Sequence, residues 1–440
     1  SGLIYGKLSN GLVLSRARRL ERGKENGGLL VVKNLREKAI IVGNEEGGSL
    51  EELEALVDSA GGQVVGKVIP RKLKPDPAFF LSEGKLWELK SAVSAQGAAL
   101  AVFDEELTPV QARNLEEELA VKVLDRTGLI LDIFALRAQT KEAKLQVEKA
   151  QLEYLLPRLT GEGVNLSRLA GGIGTRGPGE SKLETDRRRI RARIAVLNRR
   201  LKQVKANRRL QRAPRRCLAW PVLALFGYTN AGKSTLFHLL TGAEVGVEDR
   251  LFSTLDPIYR RLTFPNQLET LLIDTVGLIR KLPHQLVDAF RATLEELQEA
   301  DLLLHVVNLA SPHRDEEYLA GFELLRELGL EQKPFITVLN KQDLVENEFT
   351  VLRAVRLFPQ AVAVSARTGA GIEELKKKVV DSLSAYVHRA AFFIPFTEGN
   401  YLALLHEKGK VYTEEYRASG VYLEAELAKV WYERLRRFQV

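Results

Sequence analysis

Eight consecutive residues, Gly227, Tyr228, Thr229, Asn230, Ala231, Gly232, Lys233 and Ser234, have the types and spacing to hold a chain of phosphates. The apolar run Leu223–Phe226 before them reads as a buried strand, and Thr235–Leu240 opens a helix. This is the strand–loop–helix context that a phosphate loop needs. Its glycines let backbone N–H groups converge on a β-phosphate at a helix N-terminus, whose dipole favours anions. Lys233 is placed to bridge the β- and γ-phosphates, and Ser234 to offer its hydroxyl oxygen to Mg2+. A chance glycine-rich turn is the competing reading, and the flanking strand and helix weigh against it.

Three further stretches follow in order. Leu271–Asp274 reads as a strand ending in an acid that could hold Mg2+ through water, and Gly277 three residues on could offer its N–H to a γ-phosphate. Between the two lies the polar stretch 252–257, where Thr254 is the candidate for a switch residue that meets Mg2+ only when a γ-phosphate is bound. Ser253 is its rival, and a solvated loop threonine is the plain alternative. After the strand Phe335–Leu339 come Asn340, Lys341, Gln342 and Asp343. A carboxylate at Asp343 can accept from N1–H and N2–H of guanine, a donor pair that adenine lacks. Asn340 would tie loops together, the Lys341 stem would cover one face of the base, and Ser365–Ala366 could place a backbone N–H on guanine O6. The four in this order point to GTP, with Lys233, Thr254 and Gly277 nearest the chemistry. Some GTPases place a glutamine just after this glycine to orient the attacking water. Here the position is Leu278, so intrinsic hydrolysis is expected to be slow, with His284 or a partner positioning the water.

The elements that carry these residues divide the 440-residue chain. Residues 1–28 are weakly patterned. From 29 to 128, short β-branched runs alternate with helical stretches, which predicts a small parallel α/β sheet. Residues 129–213 read as an antiparallel helical hairpin. Ala138, Leu145, Leu152 and Leu159 recur every seven residues, and Leu183, Ile190, Ile194, Leu197, Leu201 and Val204 form the facing seam, with a glycine-rich tip at 170–179. Pro214 and Pro221 are expected to end the hairpin, residues 214–387 to form a doubly wound, mainly parallel P-loop domain, and 388–440 a small α+β domain.

Apolar content of 45% and charged content of 28% are those of a globular protein. No apolar run approaches membrane-spanning length, and the single cysteine, Cys217, excludes an internal disulfide and suits a reducing compartment. Charge is concentrated: residues 182–216 hold 15 Lys and Arg against Glu184 and Asp186, a net of +13 in a chain of net +8. Such a stripe focuses attraction for polyanions on one element. A solvated helix face is the bland reading of the same run.

The stretch from Gly171 to Arg189, the run Phe103–Pro109, the run Val123–Ile130, Ser253–Pro257 and Asp274–Pro283 resemble the HflX family of ribosome-associated GTPases across roughly residues 29–387. Leu278 stands where that family commonly has Phe, and Asn308 where it has Asp. The resemblance implies a cytoplasmic GTPase that binds the large ribosomal subunit and, when GTP-bound, splits stalled or idle ribosomes, notably under heat stress. It implies that the hairpin reaches ribosomal RNA near the peptidyl-transferase centre. Arg176, Lys182, Arg187, Arg188, Arg189, Arg191 and Arg193 are the candidate RNA contacts, and a monomer is expected of a protein that must enter the ribosome. Two other readings stay open: a ribosome-assembly checkpoint GTPase, and an ATP-dependent ribosomal RNA remodeller using the N-terminal domain, although no second phosphate loop precedes residue 220.

Overall fold

The computed structural model describes residues 36–44, 49–70, 75–159, 178–217, 220–242, 251–252, 256–280 and 296–440. The sequence-predicted strand at 29–32, the candidates Ser253, Thr254, Arg176 and His284, and nearly all of the glycine-rich tip lie outside them. The chain forms two compact units.

In the first unit, alternating runs give β1 (Lys38–Val42), α1 (Ser49–Ser59), β2 (Gln63–Val68), α2 (Glu83–Gln96), β3 (Leu100–Phe103), α3 (Pro109–Leu119) and β4 (Lys122–Asp125). The strands pair in the order β2-β1-β3-β4, all parallel. Ile40, Val42, Ala101 and Phe103 bury one face of the sheet against Leu89, Val93 and Leu115 of α2 and α3. Helix α3 begins with a full capping box, in which Thr108 Oγ1 accepts from Gln111 N and the Gln111 side chain accepts from Thr108 N. This leaves two fewer amide donors unsatisfied at that end.

The helical reading that began at 129 differs from the structure in one respect. Two helices occupy that stretch: α4 (Arg126–Arg137), with residues 126–134 buried, and α5 (Lys141–Arg158). Ala138 leaves helical geometry at ψ 113, and Thr140 starts a new helix by accepting from Ala143 N at 3.1 Å. The heptad reading spans this break because spacing alone does not register a local cap. Helix α6 (Pro178–Cys217) is 40 residues long and runs through Pro214, which does not end it. A proline removes only one amide donor and bends a long helix more readily than it terminates it. Ile190 and Leu197 of the predicted seam are buried, and Arg193 pairs with Glu148 of α5 at 2.7 Å.

The second unit holds β5 (Val222–Gly227), α7 (Lys233–Thr241), β6 (Ile258–Thr263), β7 (Glu269–Asp274), β8 (Leu302–Asn308), α8 (Arg314–Glu327), β9 (Phe335–Asn340), α9 (Glu348–Leu357), β10 (Ala361–Ala363) and α10 (Ile372–Ser382). The sheet order is β10-β9-β8-β5-β7-β6, parallel except for β6, an antiparallel edge strand that the sequence reading did not pick out. Strand β5 is central, with β7 on one side and β8 on the other. The chain then forms a three-stranded antiparallel sheet, β11 (Val387–Pro395), β12 (Gly409–Arg417) and β13 (Gly420–Ala428), in the order β11-β13-β12. Helices α11 (Gly399–Lys408) and α12 (Lys429–Leu435) pack on it, and α12 is an addition to the sequence reading.

Candidate functional site

Strand β5 delivers Gly227 to the carboxyl edge of the six-stranded sheet, between its two neighbours. The φ of 143° at Gly227 and of 88° at Gly232 are ones that other residues rarely adopt. Space is equally restrictive. A Cβ at Gly227 would lie 2.1 Å from the Val306 carbonyl oxygen, and one at Gly232 2.2 Å from Asn340 Nδ2. The loop is therefore pressed against β8 and β9 from below, and Thr235 lies in the first turn of α7 that leads away from it.

Lys233 is buried, and its Nζ donates to the carbonyls of Gly227 at 3.0 Å and Tyr228 at 2.7 Å. Burial pushes its ammonium down to about 8, with Asp274 and Glu317 pulling the other way. Next to it, His305 of β8 is sandwiched between Phe226 and Tyr318, with ring centroids 4.5 and 5.0 Å away. Burial, and then the Lys233 charge, push His305 down to about 3. Its two ring nitrogens have no hydrogen-bond partner among the described residues. The floor of the loop is thus a neutral aromatic stack, and Lys233 supplies the positive charge above it.

The segment after β7 is bonded to the phosphate loop through the main chain. Thr229 N donates to Leu278 O at 2.7 Å, and Leu278 N donates to Gly227 O at 2.9 Å. Arg280 N donates to the Tyr228 hydroxyl at 2.6 Å, and Thr275 Oγ1 to Leu225 O at 2.6 Å. Gly277 lies where a Cβ would be 2.7 Å from Thr229 Cγ2 and 3.0 Å from Lys233 Nζ. Leu278 therefore acts here through its backbone. Ser234 Oγ donates to Asp274 Oδ2 at 2.8 Å. A hydroxyl and a carboxylate held side by side are hard oxygen donors, and no group of three or more His, Cys, Asp or Glu forms a cage among the described residues. That donor set fits Mg2+, which takes one or two protein oxygens and completes its shell with phosphate and water.

The residues expected to read the base converge on Asn340. Its Nδ2 donates to Ala231 O at 2.8 Å and its Oδ1 accepts from Ala366 N at 2.9 Å, joining three loops. Lys341, at φ 64°, donates to Asn230 Oδ1 at 3.1 Å. Asp343 is exposed, and its Oδ1 accepts from Ser365 Oγ at 2.6 Å. The sequence reading offered the backbone of Ser365–Ala366 to guanine O6. Here Ser365 N donates to Ala370 O and Ala366 N to Asn340 Oδ1, so O6 would have to share the Ala366 N–H with Asn340.

On the hairpin, Arg188 and Arg191 are exposed. Arg187 donates to Leu159 O at 3.0 Å, Arg189 approaches Asp186 at 3.4 Å, and Arg193 pairs with Glu148. Lys182 is described in its backbone only. Arg187 and Arg193 thus hold the two helices together, and Arg188 and Arg191 face outward.

Two features escaped sequence reasoning. The first is a buried network at the carboxyl edge of the first unit's sheet. Arg126, 1% exposed, donates to Asp104 at 2.6 Å and to Glu52, and Ser49 Oγ donates to Asp104. The second lies just before Thr254. Residues 251–252 belong to the first unit, where Leu251 N donates to Ser59 Oγ at 2.9 Å and the Phe252 ring meets Phe134 edge-on at 4.9 Å. Spacing alone announces neither contact, because the partners come from distant parts of the chain.

A doubly wound sheet with a phosphate loop at its central strand, and the run from Asn340 to Asp343 after β9, are those of a P-loop GTPase, which binds GTP and hydrolyses it to GDP and phosphate. Family models agree in chain order: GTP-binding GTPase N-terminal over residues 47–135, GTP-binding GTPase Middle Region over 137–215 and 50S ribosome-binding GTPase over 222–341. The GTPase HflX of Caldanaerobacter subterraneus is 46% identical, covering 91% of this chain and 92% of that protein. That of Escherichia coli is 44% identical over 88% of this chain and 91% of its own length. A GTP-binding protein from the archaeon Sulfolobus solfataricus, solved with GDP, is 27% identical, covers 79% of this chain and 99% of its own, and superposes with a TM-score of 0.45. The chain belongs to the HflX family of GTPases. No helix among the described residues is long and apolar enough to cross a membrane.

Proposed function

We propose that this GTPase binds the large ribosomal subunit and, in its GTP state, splits stalled or idle ribosomes, with hydrolysis stimulated by the ribosome and followed by release. The observation that carries the reading is the division of labour on α6. Arg187 and Arg193 are used within the hairpin, whereas Arg188 and Arg191 are exposed on a helix of very high positive charge. That is the arrangement expected of an element that meets an RNA backbone. Arg176, Lys182 and Arg189 belong to the same proposed surface, near the peptidyl-transferase centre of the subunit. The protein acts as a monomer in the cytoplasm.

Within the nucleotide site, the loop from Gly227 to Ser234 and Thr235 cradles the phosphates. Lys233 exchanges its two carbonyl partners for phosphate oxygens. Gly277 donates its N–H to the γ-phosphate, and Asn340, Lys341, Asp343, Ser365 and Ala366 hold guanine. Ser234, Asp274 and, in the GTP state, Thr254 would hold Mg2+, which when bound supplies charge neutralisation for the phosphates. Leu278 cannot orient the attacking water, so His284 or a ribosomal group completes the site.

The test is a sucrose-gradient profile of intact ribosomes mixed with the protein and a non-hydrolysable GTP analogue. A rise in free subunits is expected. Binding to large subunits with no such rise would favour the assembly-checkpoint reading. The ATP-dependent remodeller has less support, since no second phosphate loop precedes residue 220 in the sequence.

A further inference from the structure

Tyr228 is the one aromatic residue in the phosphate loop. Such a loop works through backbone N–H groups, and that chemistry has no need of a phenol. Yet Tyr228 is only 6% exposed, and its hydroxyl accepts from Arg280 N at 2.6 Å. The reason lies in how the segment after β7 runs beside the loop. Tyr228 and Leu278 form a parallel bridge, in which Leu278 N donates to Gly227 O and Thr229 N to Leu278 O. In a parallel ladder the next donor, Arg280 N, would turn to Thr229 O. The loop curls away at this point, with Ala231 N donating to Tyr228 O at 3.3 Å and Asn230 at φ 59°. The Tyr228 hydroxyl supplies an acceptor where the ladder stops.

The consequence falls on Gly277. Thr275 Oγ1 is tied to Leu225 O on one side of it, and Leu278 and Arg280 are tied to the loop on the other. Between these anchors the Gly277 N–H has no partner among the described residues. A Cβ on Gly277 would lie 3.0 Å from Lys233 Nζ, so the free N–H belongs to a residue beside the ammonium assigned to the γ-phosphate. Tyr228 serves both neighbours: its carbonyl accepts from Lys233 Nζ at 2.7 Å, and its hydroxyl accepts from Arg280 N. The Arg280 side chain also pairs with Glu316 of α8, but Glu316 is exposed, where an ion pair holds little. The Tyr228 bond is the better shielded of the two.

We propose that Tyr228 is a positioning residue for the γ-phosphate: its hydroxyl holds the segment from Leu278 to Arg280 so that the Gly277 N–H is set for GTP before GTP arrives. A donor fixed in advance costs less to order on binding. GDP has no γ-phosphate and gains nothing from it, so the hydroxyl sets the preference for GTP over GDP. The inference rests on the reading of Gly277 as the γ-phosphate donor and adds the group that presets it. The test is equilibrium titration of the full chain with a non-hydrolysable GTP analogue and with GDP, in the original protein, in Tyr228→Phe and in Gly277→Ala. Tyr228→Phe keeps the ring and removes only the acceptor. The ratio of GTP-analogue to GDP affinity should fall about tenfold in Tyr228→Phe, the effect of leaving one shielded N–H without a partner, and at least as far in Gly277→Ala. A ratio that falls in Gly277→Ala but not in Tyr228→Phe would overturn the proposal and leave the Gly277 reading standing. So would a loss in Tyr228→Phe shared equally by both nucleotides, since the hydroxyl would then serve only the fold of the loop. An unchanged ratio in Gly277→Ala would overturn the γ-phosphate reading of Gly277 and the proposal with it.

Discussion

The chain contains two parallel α/β sheets, and their carboxyl edges have been put to opposite uses. In the second unit, β5 ends between two neighbours at Gly227, and the Lys233 ammonium lies against the loop that follows. In the first unit, β1 likewise lies between β2 and β3, the position at which open α/β sheets bind ligands. There the charges near the strand ends are bonded to one another. A Cβ on Gly43, just past β1, would sit 2.8 Å from Asp104 Cβ, and Asp104 and Glu52 are both bound to Arg126. Topology offers a site in both places. What decides occupancy is whether charge at the strand ends is satisfied internally or held for a ligand.

The largest expected effects break one edge at a time. Lys233→Ala should reduce GTP affinity at least 100-fold, the loss of a buried charge-assisted contact to phosphate, in an equilibrium titration with a fluorescent GTP analogue. Arg126→Met should leave buried Asp104 and half-buried Glu52 without this cation and cost about 3–5 kcal/mol of stability. That loss should show as an early unfolding transition in urea, with GTP affinity unchanged in dilute buffer. If Arg126→Met lowers GTP affinity as Lys233→Ala does, the two edges are not independent.

A specificity change comes next. Asp343→Asn should weaken GTP by about 100-fold or more, two hydrogen bonds to a carboxylate at about 1.5–3 kcal/mol each, and shift preference to xanthosine triphosphate. GTP preference that survived the change would remove Asp343 from the base site.

The pH response follows from Lys233. Its pKa is depressed by burial to about 8, so the ammonium is mostly charged at pH 7 and mostly neutral at pH 9. Phosphate binding favours the charged form. GTP affinity should therefore fall about tenfold per pH unit above 8, with proton uptake on binding visible as buffer-dependent heat. For stability the sign is reversed. A lysine lowered below its unfolded value destabilises the fold below pH 8, and that penalty fades as pH rises toward 10.5. The smallest effect belongs to the hairpin: neutralising Arg188 or Arg191 should reduce the salt dependence of ribosome binding by about one unit of slope each.

The two edges also differ in how readable they were. The phosphate site was legible because its parts are contiguous: one eight-residue loop, one acid-to-glycine turn and one base-reading loop, each following an apolar strand. The Arg126 network draws on Ser49 and Glu52 of α1, Asp104 just after β3 and Arg126 of α4, and no local pattern shows that they meet. The break at 138–140 was hidden because a seven-residue repeat continued across it, and Pro214 misled because a 40-residue helix absorbs one missing donor. The role of the Tyr228 hydroxyl under Arg280 N is likewise a product of folding rather than of spacing.

The most direct measurement is calorimetric titration of the full chain with a GTP analogue and, separately, with an ATP analogue, in the original protein and in Lys233→Ala. One GTP site that disappears with Lys233→Ala, and no ATP site in either protein, is the predicted result. An ATP site that persists in Lys233→Ala would show that the first sheet opens its crevice to phosphate, and would contradict the assignment of nucleotide binding to the second sheet alone.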